Sequence, residues 1–110
     1  MRTITANAEI DSIFASATRG TSPLLVVLSA KTPASRDPEG RVMFVAGKKI
    51  GGAVLRNRAK RVLRETCRRA GGPWPGLDVV FIARAGVITA RPEALDASAA
   101  AALRKAGVLS

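Results

Sequence analysis

The sequence predicts a small α+β two-layer sandwich, a single domain over residues 1–110 in which helices cover one sheet. Three observations predict it. Apolar runs of strand length occur at residues 24–30, 42–46 and 77–84. Helical patterning occurs at 7–20, 53–70 and 92–106. Clusters of Gly, Pro and polar residues separate these segments. With 47% hydrophobic residues, the 110-residue chain can build one core.

Taken in order, residues 1–6 read as frayed. Asn7 suits a helix N-cap, and Glu9 and Asp11 suit the positive end of the dipole. Ile10, Ile13, Phe14 and Ala17 fall on one helical face, and Gly20 can end the helix. Residues 21–23 connect to a strand over 24–30. The stretch KTPASRDPEGR, residues 31–41, reads as a surface loop, and 42–46 as a second strand. These two strands are expected to pair as an antiparallel hairpin with a long loop.

Gly51 and Gly52 then break the chain before a helix over 53–70. Gly71, Gly72, Pro73, Pro75 and Gly76 stop it. LDVVFIAR, residues 77–84, is the clearest buried strand. Pro92 and Glu93 start a last helix with Leu95, Ala99, Ala102, Leu103 and Ala106 on one face and Gly107 after its end. The expected element order is α-β-β-(β)-α-β-α.

Charge points to the partner. Eighteen Lys and Arg against eight Asp and Glu give a formal +10, beyond what solubility requires. Residues 48–69 hold nine of those cations and one acid, Glu65, a local net of +8. With Leu55 at 0° and ~100° per residue, Leu55, Ala59, Val62, Leu63, Thr66 and Ala70 make an apolar stripe. Asn57, Lys60, Arg61, Arg64 and Arg68 fall opposite it, with Arg56 and Arg58 flanking the stripe. The planar Arg fork matches phosphate oxygens bidentately. Asn57 adds a neutral donor and acceptor. Gly51 and Gly52 admit a close backbone approach, and the unpaired N–H groups of the helix start attract anions.

The same composition excludes other chemistry. The chain has no His and one Cys, so His-based acid–base catalysis, His or Cys-cluster metal sites and an intramolecular disulfide are absent. No Walker-type phosphate loop occurs. The eight acids show no spacing for a two-metal nuclease, so no catalytic residue is expected in the protein itself. Residues 1–10 lack the apolar region of a signal peptide, and the longest strongly apolar run, 24–28, cannot span a bilayer. A cytoplasmic location is expected. Cys67, at the edge of the stripe, reads as a small buried filler, and Trp74 as a packing anchor rather than a base stacker.

The stretch KKIGGAVLRNRAKRVLRE, residues 48–65, resembles the signature of the bacterial ribonuclease P protein subunit. That family carries an Arg-Asn-Arg core, here Arg56, Asn57 and Arg58, after Lys-Lys-Ile-Gly and before a Lys-Arg pair, here Lys60 and Arg61. Outside this block the resemblance is one of pattern. It implies a ribosomal-protein-S5-domain-2-like fold with a left-handed β-α-β crossover around the basic helix. It also implies a partnership with a large catalytic RNA that removes the 5′ leader of precursor tRNA. The chemistry would then belong to the RNA with its bound Mg2+. Lys48, Lys49, Arg56, Asn57, Arg58, Lys60, Arg61, Arg64 and Arg68 would bind RNA. A cleft between the first helix and the sheet would hold the leader, with Ile10, Phe14 and Leu28 on its wall. Ile10 and Leu28 stand where the family often has aromatics, and only 4% of the chain is aromatic, so stacking would contribute less here. Phe14 reads either as core or as a stacking platform.

Three rival readings are weighed against it. A ribosomal or other structural RNA-binding protein would share charge and size. A DNA-binding regulator would need a helix-turn-helix, whose spacing is missing. A membrane-surface helix would carry Trp or Phe on its apolar stripe, and this one has neither. Neither DNA nor membrane is expected as a partner.

Overall fold

The computed structural model describes residues 2–3, 17–32 and 40–109. Five strands are described: β1 (Arg2–Thr3), β2 (Thr18–Thr21), β3 (Leu25–Lys31), β4 (Arg41–Val45) and β5 (Leu77–Ala83). A 3-10 turn over Lys48–Ile50 leads into helix α1 (Ala53–Arg69), and helix α2 (Pro92–Lys105) follows β5. The sheet order is β1-β4-β5-β3-β2.

The expected hairpin between β3 and β4 does not form. β5 lies between them, antiparallel to β3 from Leu25↔Ala83 to Lys31↔Leu77 and parallel to β4 from Arg41↔Asp78 to Val45↔Ile82. The reason is burial. Val79, Val80 and Phe81 are fully buried, and a strand apolar on both faces gains most at the centre of a sheet. Joining β4 to its parallel neighbour β5 requires a crossover, and α1 is that crossover.

Alternation along the strands sorts their side chains onto two faces. Leu25 and Val27 of β3, Val42 and Phe44 of β4, and Val79 and Phe81 of β5 face the helices. There they meet Ala59, Leu63 and Cys67 of α1 and Leu95, Ala99, Ala102 and Leu103 of α2. Phe44 packs on Phe81 at 5.8 Å between ring centroids, and Trp74 stacks on Phe81 at 6.3 Å. Trp74 is thus a packing anchor. The opposite face gathers Val26, Leu28 and Val80, with Met43, Val45 and Ile82 beside them.

Two expectations near the N-terminus change. Residues 1–6 are not all frayed: Arg2–Thr3 pairs in parallel with β4 at the sheet edge. Gly20 does not end a helix. It lies inside β2, which pairs with β3 through Gly20↔Val27. A Cβ built on Gly20 would overlap the Ala102 carbonyl, so bare backbone lets β2 sit directly on α2. Nor is the end of the expected first helix helical: Ala17 stands just before β2, and Thr18 and Arg19 lie within it. Its residues 7–16, including Ile10 and Phe14, lie outside the described residues.

Polar groups pin the layers. The Ser22 and Ser98 hydroxyls lie 2.6 Å apart, Leu24 N–H donates to Ser98 Oγ at 3.1 Å, and Ser29 Oγ donates to the Ala106 carbonyl at 2.7 Å. Asp78, 1% exposed, accepts from Arg41 through Nε at 3.2 Å and through a terminal nitrogen at 2.9 Å, and from Thr32 Oγ1 at 3.2 Å. That cluster satisfies a buried carboxylate and ties β3, β4 and β5 together at one end.

Candidate nucleic-acid interface

Helix α1 follows its sequence period closely, with one rotation of the expected face. Ala59, Leu63, Thr66 and Cys67 are buried. Leu55, expected in the stripe, is 42% exposed, so the buried sector is centred nearer Cys67. Thr66 Oγ1 donates to the Val62 carbonyl at 2.8 Å, which lets a hydroxyl sit in the core. Burial pushes the Cys67 thiol from 9.0 up to about 11, against a smaller opposing pull from Arg68. Cys67 is a buried neutral thiol, and a filler as expected.

The other side of the helix is cationic. Asn57, Arg58, Arg61, Arg64 and Arg68 are exposed, and Lys60 is half-buried. Arg56 falls toward the core side, half-buried, with a buried Nε that has no hydrogen-bond partner. It therefore stands apart from the exposed ridge. Arg68 pairs with Glu65 at 3.2 Å, and Arg69 reaches Asp96 of α2 at 2.8 Å. These are exposed pairs and contribute little to stability. Among the described residues no carboxylate pairs with Arg58, Arg61 or Arg64. The Arg64 guanidinium instead lies over the Phe44 ring.

The start of α1 favours anions. Its N-cap is Gly52, which offers no side-chain cap, and no acid occupies the first turn. Lys48 and Lys49 stand exposed on the 3-10 turn just ahead of it. The unpaired first-turn N–H groups and two ammonium groups thus share one end of the helix.

Beyond that turn the second sheet face opens into a groove of about 750 Å3. Val26, Val45 and Ile82 form its floor, and Arg19, Lys48, Lys49 and Arg84 its cationic rim. Arg84 also donates to the Ser22 carbonyl at 3.3 Å. Arg19 and Arg84 escaped the sequence reading because each is isolated in the chain. The topology brings them together, since β2 and β5 flank β3 on either side. In the register Arg19 pairs with Leu28, and cross-strand partners share a face, so the fold sets Arg19 beside the residue expected on the leader wall. Leu28 itself lies on this face but is 4% exposed, packed with Val26 and Val80. Among the described residues no helix is long and apolar enough to cross a membrane.

Comparison with known proteins agrees with this geometry. The sequence profile of the Ribonuclease P family matches residues 1–107. The ribonuclease P protein component of Brevibacillus brevis is 37% identical over 108 residues, covering 94% of this chain and 81% of that protein. The corresponding protein of Dehalococcoides mccartyi is 49% identical over 70 residues, covering 64% of this chain and 58% of its own length. Among solved structures, the Staphylococcus aureus RNase P protein superposes with a TM-score of 0.82 at 24% identity over 100% of this chain and 99% of that one. The Thermotoga maritima RNase P protein gives 0.73 at 24% identity over 91% and 93%. These two likenesses carry the fold. A small α+β fold, a profile matched over nearly the whole length and a relative 37% identical across most of it make this chain a member of the ribonuclease P protein family.

Proposed function

We propose that the protein is the protein subunit of a ribonuclease P holoenzyme, acting in the cytoplasm on precursor tRNA. The exposed ridge of α1 binds the catalytic RNA subunit, and the rimmed groove takes the single-stranded 5′ leader. The observation that carries this division is that two cationic surfaces flank one turn. Arg58, Arg61 and Arg64 lie on α1 to one side of Lys48 and Lys49, and Arg19 and Arg84 lie across the groove.

An apolar floor with a cationic rim fits a single strand, whose bases face the floor while its phosphates meet the rim. Val26, Val45 and Ile82 make the floor, and among the described residues no aromatic side chain lines the groove, which favours a weak base preference. Ile10 and Phe14 are the sequence-based candidates for the rest of the leader path, with Leu28 as a buried part of its wall.

The protein supplies no reacting group in this reading. Asp78 is held by Arg41, Glu65 by Arg68 and Asp96 by Arg69, which does not make a Mg2+ site of these carboxylates. The Mg2+ required for phosphodiester hydrolysis is assigned to the RNA subunit. The protein's part is to neutralise phosphate and hold the leader in line.

The test is reconstitution. Protein and cognate RNA subunit, mixed in Mg2+ at near-physiological salt, should release the 5′ leader from precursor tRNA faster than the RNA alone. The protein alone, freed of RNA, should release none. Binding to the RNA with no gain in cleavage would favour a structural RNA-binding protein instead.

A further inference from the structure

Leu55 breaks the pattern that the rest of α1 obeys. It is 42% exposed and Val54 beside it is 82% exposed, the two exposed large hydrophobic side chains among the described residues. They sit in the first turn of the helix, just after Lys48 and Lys49 of the 3-10 turn. Leu55 is nonetheless fixed. Gly51, at φ 138°, turns the chain so that a Cβ built there would press on Leu55 Cδ1, and the leucine lies across bare backbone.

Leu55, Ile50, Val87 and Ile88 wall a cradle of about 260 Å3 between the start of α1 and the loop after β5. Val87 is fully buried, and Ile50 and Ile88 pack on the main core, so the cradle rests on a rigid floor. Lys49 stands at its rim, and Lys49 and Ile50 also line the larger groove, so the 3-10 turn is the partition between the two.

An apolar cup with Lys49 at its rim and the uncapped start of α1 beside it calls for an occupant with an apolar face and an anionic edge. A purely apolar protein surface would have to strip water from Lys49 and from the uncapped helix start with nothing to replace it. A nucleotide meets both demands, its base in the cup and its phosphate on Lys49 and the first-turn N–H groups. The cup is smaller than the roughly 300–1,000 Å3 clefts that enclose whole small molecules, as suits a single base. We propose that this cradle receives one unstacked nucleobase of the RNA subunit, an inference that rests on the function proposed above.

Apolar contact and phosphate contact differ in their salt dependence. Only the second releases counterions and adds to the slope of log K against log salt. The experiment is therefore a salt titration of binding to the cognate RNA subunit by wild type, Leu55→Ser, Leu55→Lys and Lys49→Ala, each checked by a melting curve. Leu55→Ser should weaken binding about three- to tenfold at every salt concentration, the size of one lost apolar contact, with the slope unchanged. Lys49→Ala should lower the slope by roughly 0.7–0.9. Leu55→Lys decides between base and phosphate, since a base in the cradle makes the added cation weaken binding. Tighter binding by folded Leu55→Lys, or wild-type binding by folded Leu55→Ser, overturns the cradle. Failure of wild type to bind the RNA subunit at all would instead overturn the function on which it rests.

Discussion

The Arg64 guanidinium carbon lies 5.5 Å from the centroid of the Phe44 ring. Phe44 is buried at 7% exposure and braced against Phe81, so the ring is fixed, and it holds an exposed cation at a fixed place on α1. A guanidinium held over a ring by a cation–π contact keeps N–H groups free for phosphate. Phe44→Leu should therefore weaken binding to the RNA subunit through Arg64. In a double-mutant cycle Phe44→Leu should couple to Arg64→Ala by roughly 0.5–1 kcal/mol. With Arg61→Ala the same cycle should be additive.

Arg61 and Leu63 lie two residues apart on opposite faces of α1, one exposed and one fully buried. Arg61→Ala should leave stability within about 0.5 kcal/mol and lower the salt slope of RNA binding by roughly 0.7–0.9. Leu63→Ala should cost about 2–5 kcal/mol in a denaturant titration, through the cavity it leaves.

The Arg41–Asp78 pair should prove structural. Asp78 is 1% exposed and the Arg41 side chain 11%. Asp78→Ala removes the buried carboxylate to which Arg41 and Thr32 donate. The expected loss is about 3–5 kcal/mol of unfolding free energy, read by urea denaturation.

Cys67 predicts a pH dependence. Its folded-state pKa is raised by burial from 9.0 to about 11. Between those values the unfolded chain loses the thiol proton first. The stability tied to this group is thus fully present below pH 9 and is lost as pH rises toward 11. Wild type should lose melting temperature over that window more steeply than Cys67→Ala. The native thiol should also resist alkylation at neutral pH.

The faces of α1 were legible in the sequence because helical geometry depends on neighbours three and four residues away. Two positions departed from the expected faces: Leu55 is exposed, and Arg56 turns toward the core side instead of joining the ridge. Strand order was not legible. The 24–30 and 42–46 runs looked like a hairpin, and the strand that separates them arrives more than thirty residues later in the chain. β2, TRGT, carries almost no apolar signal, and its place depends on pairing with β3 and on contact with α2. Gly20 fits a helix end and a close backbone approach equally well in one dimension, and only α2 decides between them. The ridge of the site was read from one contiguous segment. Arg19 and Arg84 of the groove come from distant strands and needed the fold.

The central claim is a division of labour, with the α1 ridge on the catalytic RNA and the groove on the leader. Its most direct test is the ratio of holoenzyme affinities for leader-bearing and mature tRNA, measured for wild type and for the Arg19→Ala, Arg84→Ala double variant. The account predicts that the double variant binds the RNA subunit nearly as wild type does, while the ratio falls by about tenfold, the size of one lost charge-assisted contact. A ratio that stays at the wild-type value in a folded double variant would contradict it.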